Sequence, residues 1–394
     1  MSWRRQLPAY SPLPLAAVGA GAAGLLSGGG AARDRLEEAL RRSFAGAEVV
    51  LTDSGTAALT LAIRASLAGE RDARVALPAY ACYDIATAAD GADAPVILYD
   101  VDPATLAPDT ASLGRALAAG ARAVVLVHLY GVPVDPEPVL AAARTARAVV
   151  IEDAAQGAGA GFGGRPLGAF GDVAVLSFGR GKGNTGGRGG ALVAGGERGR
   201  AILARARAGG PAASGGLKEL VQLVAQWLLG RPSLYAIPSA LPFLRLGETV
   251  YHPPQPAGAM SAVAARALSV TLPLGDEEAE IRRANAGRLL ERHGPSLVPV
   301  RVPARGVAGW LRLPFVAAPA AREAAVSPAA RALGIMPGYP LALCDLPGFT
   351  GRVVNLEAPF PGARTLAERL ITLPTHGLLG EADLDRLESW LTAN

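Results

Sequence analysis

The feature that most restricts the fold of this 394-residue chain is an alternation that runs from residue 48 to residue 153. Short apolar runs at 48–52, 74–78, 94–102, 121–131 and 148–153 are separated by segments of helical character at 53–62, 81–89, 110–119 and 136–146. Runs such as Ala123-Val124-Val125-Leu126-Val127 are apolar at every position, which suits a strand covered on both faces. Strand and helix in strict turn predict an α/β architecture with a mostly parallel sheet flanked by helices. In such sheets ligands sit beyond the carboxyl ends of the strands. Ser54-Gly55-Thr56, His128 and Asp153 all fall at such ends, which predicts one shared site.

A helix over 32–45 precedes the alternation, carrying Leu36, Leu40 and Phe44 on one face. Beyond it, 217–229 predicts an amphipathic helix, followed by Pro-rich sequence to about residue 256. That region reads as core or interface; it lacks the cationic face of a membrane-binding helix. Helices are expected near 276–293 and over 381–391. The division this suggests is an N-terminal segment over 1–30 and a large cofactor-binding domain over 31–255, with an apolar lid or interface insertion at about 210–255. A small C-terminal α/β domain over 256–394 completes it.

Half the residues are hydrophobic and 18% are charged, a balance that excludes a disordered chain. The net charge of +4 is spread thinly, without the basic run expected of a nucleic-acid binder. Two cysteines, Cys82 and Cys344, supply neither a disulfide framework nor metal-ligand spacing, and suit a reducing, cytoplasmic setting. The stretch 14–30 follows Arg4-Arg5 but is rich in Gly and Ala and approached through prolines, so it is not read as a secretory leader. No run approaches the roughly 20 strongly apolar residues of a membrane span.

Only two lysines occur, Lys182 and Lys218, and Lys182 lies in a loop that is more than half glycine. An apolar run ends at Ser177, and Lys182 follows five residues later within Gly179 to Gly190. Glycine at that density argues for backbone conformations closed to other residues, or for close approach to something bound. Walker-type phosphate binding fails, because Gly181-Lys182 is followed by Gly183 rather than Ser or Thr.

An anion-binding turn at 54–56, a carboxylate at 153 and a lysine at 182 form the set that pyridoxal 5′-phosphate requires. The lysine amine bonds the aldehyde, the carboxylate keeps the pyridine nitrogen protonated, and backbone N–H groups with hydroxyls hold the phosphate.

With these stretches the chain resembles the DegT/DnrJ/StrS-type family of pyridoxal-phosphate enzymes, chiefly sugar aminotransferases. The matching segments are Ser54 to Leu59, Pro95 to Asp102, Val127 to Gly131, Glu152 to Gln156, Gly168 to Asp172, Ser177-Phe178 with Lys182, Gly189-Gly190 and Leu370 to His376. The resemblance implies the PLP-dependent transferase fold (fold type I), with a seven-stranded-type sheet and a smaller C-terminal α/β domain. It makes Lys182 the Schiff-base lysine and proton shuttle, and pairs Asp153 with the pyridine nitrogen. It sets Gln156 beside the ring and gives the phosphate to Gly55, Thr56 and Ser177. It further implies transfer of nitrogen from an amino donor, glutamate, to a keto acceptor, in homodimers with sites at the interface.

Three departures stand out. The family's ring-stacking aromatic falls on Cys82, between Tyr80 and Tyr83, and Tyr83 is taken as its substitute. Gly187-Arg188-Gly189-Gly190 carries a cation where the family has an acid. Ala257-Gly258-Ala259 stands where the family has Asn-Tyr-Arg, so the acceptor is a keto sugar or a less polar intermediate. A lyase, dehydratase or substitution enzyme using the same lysine, and a non-catalytic regulatory homologue, remain open at this level.

Overall fold

The computed structural model describes residues 4–26, 29–70, 72–208, 216–236 and 250–394. The alternation folds into a seven-stranded sheet from β1 (Glu48–Thr52), β2 (Arg74–Pro78), β3 (Val96–Tyr99), β4 (Ala121–Val127), β5 (Val149–Asp153), β8 (Val173–Ser177) and β9 (Gly190–Ala194). Its order is β1-β9-β8-β5-β4-β2-β3, and only β9 runs against its neighbours. Between β5 and β8, two short strands, β6 (Gly161–Phe162) and β7 (Arg165–Pro166), form a ribbon with the later β11 (Gly306–Val307). The helices interleaved with these strands are α3 (Gly55–Leu67), α4 (Tyr83–Gly91), α5 (Thr110–Ala118), α6 (Glu137–Ala146) and α7 (Glu197–Ala208).

Both faces of the sheet are covered, which is why its strands read as unbroken apolar runs. Val75, Leu77, Val125 and Ile151 belong to one buried cluster, whereas Ala76, Ile97, Val124 and Val150 belong to another on the opposite side. The alternation along a strand assigns successive residues to opposite faces. The seven-stranded, mostly parallel expectation therefore holds.

The apolar N-terminal stretch packs into the body. It forms α1 (Leu15–Ala23), whose Ala17 and Val18 are buried with Leu223 of α8 (Leu217–Leu229) and with Val263 and Ala267 of α9 (Ala262–Thr271). The preceding α2 (Gly30–Ser43) presents Leu36 and Leu40 to β1 and β9, in a cluster that also takes Met260, Ala264 and Leu268. Met260, Ala264 and Leu268 thus pack with the large sheet. Residues 209–215 and 237–249 of the expected apolar insertion lie outside the described residues.

A long helix, α10 (Gly275–Leu290), leads into the second sheet. That sheet is antiparallel, ordered β10 (Leu297–Pro299), β12 (Leu313–Ala317), β14 (Leu370–Leu373), β13 (Met336–Pro337). The remaining helices are α11 (Pro319–Ala325), α12 (Pro328–Ala332), α13 (Pro361–Arg369) and α14 (Glu381–Ala393). Phe315, Ile371 and Leu373 of this sheet join the apolar cluster that lines one face of the large sheet, so the two layers share a core.

One expected strand is shorter than its apolar run. Residues 121–131 leave the sheet after Val127, and Leu129–Gly131 form a single 3-10 turn with Tyr130 at φ 58°. The left-handed backbone there carries the chain away from the sheet and turns Tyr130 towards the space above it.

Candidate active site

The carboxyl ends of β1, β4, β5 and β8 open on one inner pocket, lined by Gly55, Thr56, His128, Asp153, Gln156, Ser177 and Lys182. It leads into an outer chamber of about 980 Å³. Six of the seven site residues expected from sequence meet in the inner pocket; Tyr83 lines only the outer chamber.

The turn at 54–56 divides two tasks. Ser54 caps α3, its Oγ accepting the Ala57 N–H at 3.1 Å, so its hydroxyl serves the helix. The amides of Gly55 and Thr56 carry no partner among the described residues, and they open the positive end of α3. Glycine is required at 55, since a Cβ there would fall 2.7 Å from the Cβ and 2.8 Å from the Oγ of Ser177. Two free amides and the Ser177 hydroxyl thus converge on a cradle that a side chain would fill, and this cradle fits a phosphate.

Glu152 and Asp153 end β5 side by side and point to opposite faces. Glu152 is fully buried and accepts four donors: Gly168 N at 2.6 Å, Phe170 N at 2.8 Å, Gly171 N at 2.9 Å and His128 Nε2 at 3.1 Å. Burial alone would raise its pKa, but the His128 and backbone hydrogen bonds hold it below the ordinary carboxylate value. His128 Nδ1 accepts the Val134 N–H at 3.1 Å, so Nε2 carries the proton and donates to Glu152. His128 therefore lines the pocket floor while its ring serves the loop after β4.

Asp153 faces the pocket. Its Oδ1 accepts the Ala155 N–H at 3.0 Å, and Oδ2 has no protein partner among the described residues. Burial raises its pKa, opposed by the Ala155 hydrogen bond and by Lys182. A carboxylate held in this state suits a cationic partner such as a protonated ring nitrogen. Because the native pKa is raised, the cofactor-free protein gains stability from this group as pH falls through the raised value towards the ordinary carboxylate range, and loses it as pH rises. Asp153→Asn is expected to raise the thermal midpoint of the cofactor-free protein at neutral pH, with the difference from wild type narrowing under mild acid. Turnover should fall roughly 10²–10³-fold in the same variant. A midpoint lowered at neutral pH would contradict this account.

The glycine-rich loop is anchored rather than slack. Gly186 N donates to Phe178 O at 3.1 Å, Phe178 N to Gly189 O at 2.8 Å, and Thr271 Oγ1 to Thr185 O at 2.7 Å. Lys182 is flanked by Gly181 at φ 71° and Gly183 at φ 85°, left-handed positions that side chains resist. A Cβ at Gly183 would also fall 2.4 Å from that of Ala158. These glycines turn the chain so that Lys182 projects into both the inner pocket and the chamber.

Gln156 links the two spaces. Its Oε1 accepts the Tyr130 N–H at 3.0 Å and its Nε2 donates to the Tyr339 hydroxyl at 3.0 Å. Tyr339 is the centre of an aromatic group: its ring stacks on Tyr130 at 5.8 Å and lies 5.6 Å from Tyr80 and 6.2 Å from Tyr83. Tyr83 is held by its hydroxyl, which accepts the Leu341 N–H at 2.8 Å. From that segment Cys82, Asp84 and Ile85 reach the inner pocket, and burial pushes the Cys82 thiol up to about 12, keeping it neutral.

Sequence reasoning missed Tyr339 and Arg312, which line the chamber from the second sheet. It also missed Leu7, Pro8 and Ala9, and the α8 residues Gln222 and Gln226. None lies near a strand end of the alternation, so no local pattern marks them. Arg188 also lines the chamber. The small residues at 257–259 have a packing reason: Asp53 N donates to Gly258 O at 2.8 Å, and a Cβ at Gly258 would fall 2.8 Å from Asp53 Oδ2.

The chain is 39% identical over 165 residues to L-glutamine:scyllo-inosose aminotransferase of Streptomyces griseus, covering 41% of this chain and 39% of that protein. It is 37% identical over 146 residues to L-glutamine:2-deoxy-scyllo-inosose aminotransferase of Micromonospora echinospora, covering 37% of this chain and 34% of that protein. The matched stretch thus spans well under half the length of these relatives. Among solved structures, AtS13 from Actinomadura melliaura superposes over 99% of both chains with a TM-score of 0.77 at 24% identity, a likeness of fold. Residues 17–218, which carry the cradle, Asp153 and Lys182, match the DegT/DnrJ/EryC1/StrS aminotransferase model. With that match over half its length, the chain belongs to the DegT/DnrJ/EryC1/StrS aminotransferase family.

Proposed function

We propose that this protein is a pyridoxal-phosphate-dependent aminotransferase that moves an amino group from an amino acid to a keto sugar or keto cyclitol. The observation that carries the reading is the meeting of Lys182, Asp153 and the Gly55–Thr56–Ser177 cradle in one pocket. When bound, pyridoxal phosphate supplies an aldehyde for covalent capture of amines and a protonated ring that accepts the electron pair released at the substrate carbon. Gly55, Thr56 and Ser177 hold its phosphate through neutral donors and the α3 dipole. Asp153 holds the ring nitrogen protonated. Lys182 would hold the aldehyde through its amine, and its Nζ is the group that would carry the proton of the substrate carbon. Gln156 sits beside the ring and steadies the wall formed by Tyr130 and Tyr339. Tyr83 belongs to the substrate wall, and Cys82 lines the inner pocket that would hold the ring.

The names of the relatives put L-glutamine first as donor, ahead of glutamate, and an inosose-type ketone first as acceptor. The two amides of Gln222 and Gln226 and the tyrosine hydroxyls offer a polyol the uncharged partners it needs. We read the working form as a homodimer in the cytoplasm, supported by the exposed apolar row Leu217, Val221, Val224 and Leu228 beside the chamber. Among the described residues no helix is long and apolar enough to cross a membrane.

Purified protein loaded with pyridoxal phosphate is expected to absorb in the visible, to bleach on adding glutamine or glutamate, and to recover with an inosose-type ketone. Persistent colour with every amino acid tried, together with product release by elimination, would move the reading to a lyase.

A further inference from the structure

Seven residues line both the inner pocket and the outer chamber, and six of them have a task already. Gly55, Thr56 and Ser177 form the cradle, and Lys182 supplies the amine. Gln156 spends both ends of its amide on Tyr130 and Tyr339. Cys82 gives its thiol hydrogen to the seventh residue, Asp84, with Sγ 3.6 Å from Oδ2. Asp84 stands in the first turn of α4 and is exposed. Among the described residues its carboxylate takes no other hydrogen bond and no ion pair.

Other acids of the chain are treated differently. Asp90 and Asp93 face Arg352, Asp345 faces Arg364, and Asp100 accepts the N–H groups of Gly362 and Ala363. Asp84 is the single carboxylate lining the chamber among the described residues, although Arg180, Lys182, Arg188 and Arg312 line it too. Its charge reaches the inner pocket, where it contributes to the raised pKa values of Cys82 and Asp153. A helix dipole favours an acid in the first turn. That accounts for an acid on α4, but not for one placed where the two spaces meet.

We propose that Asp84 receives hydroxyl groups of the keto acceptor and so selects a polyhydroxylated ketone. This assignment rests on the aminotransfer reading above and deepens it. A carboxylate only accepts, and its two oxygens take donors in pairs. Neighbouring hydroxyls on a ring present two O–H donors side by side. An amino acid brings a carboxylate of its own, which Asp84 repels, so the donor is not its ligand. An ammonium group on the acceptor would meet the cations of the chamber, whereas a hydroxyl is neutral and meets no such repulsion. The phosphate of the cofactor is already provided for at the cradle. Because Asp84 lines the inner pocket beside Lys182, the hydroxyls it meets are those near the keto carbon.

The test uses loaded enzyme and separates the two half-reactions. Wild type, Asp84→Ala and Asp84→Asn are each bleached with L-glutamine. The return of colour is then followed with scyllo-inosose and with cyclohexanone, the same ring and ketone without hydroxyls. Asp84→Ala should lose roughly 10- to 100-fold in kcat/KM for scyllo-inosose, the size of a hydrogen bond to a charged group, with the loss carried by KM. Return with cyclohexanone and bleaching with glutamine should each change less than about threefold. Asp84→Asn keeps one accepting oxygen and should recover part of the loss. Retained visible absorbance and thermal midpoint show that the variants fold and hold the cofactor. Equal losses with both ketones would overturn the assignment, as would a loss in bleaching as large as that in the return, or an Asp84→Ala enzyme that handles scyllo-inosose as wild type does. Wild type that is bleached by glutamine but recovers with neither ketone would overturn the polyol acceptor and leave aminotransfer standing. Wild type that holds the cofactor yet is bleached by no amino acid would overturn the aminotransfer reading and the assignment with it.

Discussion

Lys182→Ala is expected to fold and to retain the phosphate cradle, yet to lose the protein-linked visible absorbance and at least about 10⁴-fold in turnover. The physical basis is that Lys182 has two roles that no neighbour can assume. In the proposed aminotransfer its amine would be the covalent tether at rest and the proton carrier. The other lysine, Lys218, belongs to α8 and does not line the inner pocket. Lys182 makes no hydrogen bond among the described residues that the fold depends on, so stability should change little. Lys182→Arg serves as the companion variant. It keeps the positive charge that opposes the raised pKa of Asp153 but cannot bond the aldehyde, and it should be equally inactive. Either variant retaining more than about a hundredth of wild-type turnover would remove Lys182 from the chemistry.

The second large effect concerns stability. Glu152→Leu should destabilise the protein by about 3 kcal/mol or more, measured by chemical denaturation of the cofactor-free form. Removing the carboxylate strands three backbone N–H groups and the His128 Nε2–H in a fully buried site. Each unmatched buried donor costs about 1–3 kcal/mol. Activity should fall only as folded protein is lost, because Glu152 points away from the pocket that Asp153 enters. Glu152→Gln retains the volume but faces two of the four donors with its own NH₂ group, so it should lie between the two. A loss below about 1 kcal/mol for the leucine variant would show that water or a rearranged loop satisfies these groups.

The pairing of Glu152 and Asp153 shows how far sequence carries. Two adjacent acids at a strand end were legible as a site marker, and strand geometry alone requires one of them to face away. Which one anchors the loop at 168–171 and which one faces Lys182 depended on the direction of β5 within its sheet. The glycines around Lys182 were legible as a backbone that turns or approaches something closely. Both proved true, at Gly181 and Gly183 and again at Gly55 against Ser177. Cys82 and Tyr83 were harder. They are adjacent at the start of α4, and only the helix geometry and the tie of Tyr83 to Leu341 decide which lines the inner pocket.

Sequence by itself determined the large sheet, because a run that must be covered on both faces between helices permits little else. It also determined the inner pocket, because strand ends in a parallel sheet gather at one edge and bring Gly55, Asp153, Ser177 and Lys182 together. Only the tertiary structure decided the outer chamber. Its walls come from Leu7 to Ala9, α8 and the antiparallel sheet at 297–373, segments far apart in the chain. Contacts between such segments leave no local periodicity. Arg312 shows the consequence: in sequence it is one arginine among many, and only the packing of the two layers sets it in the chamber wall beside Tyr130 and Tyr339.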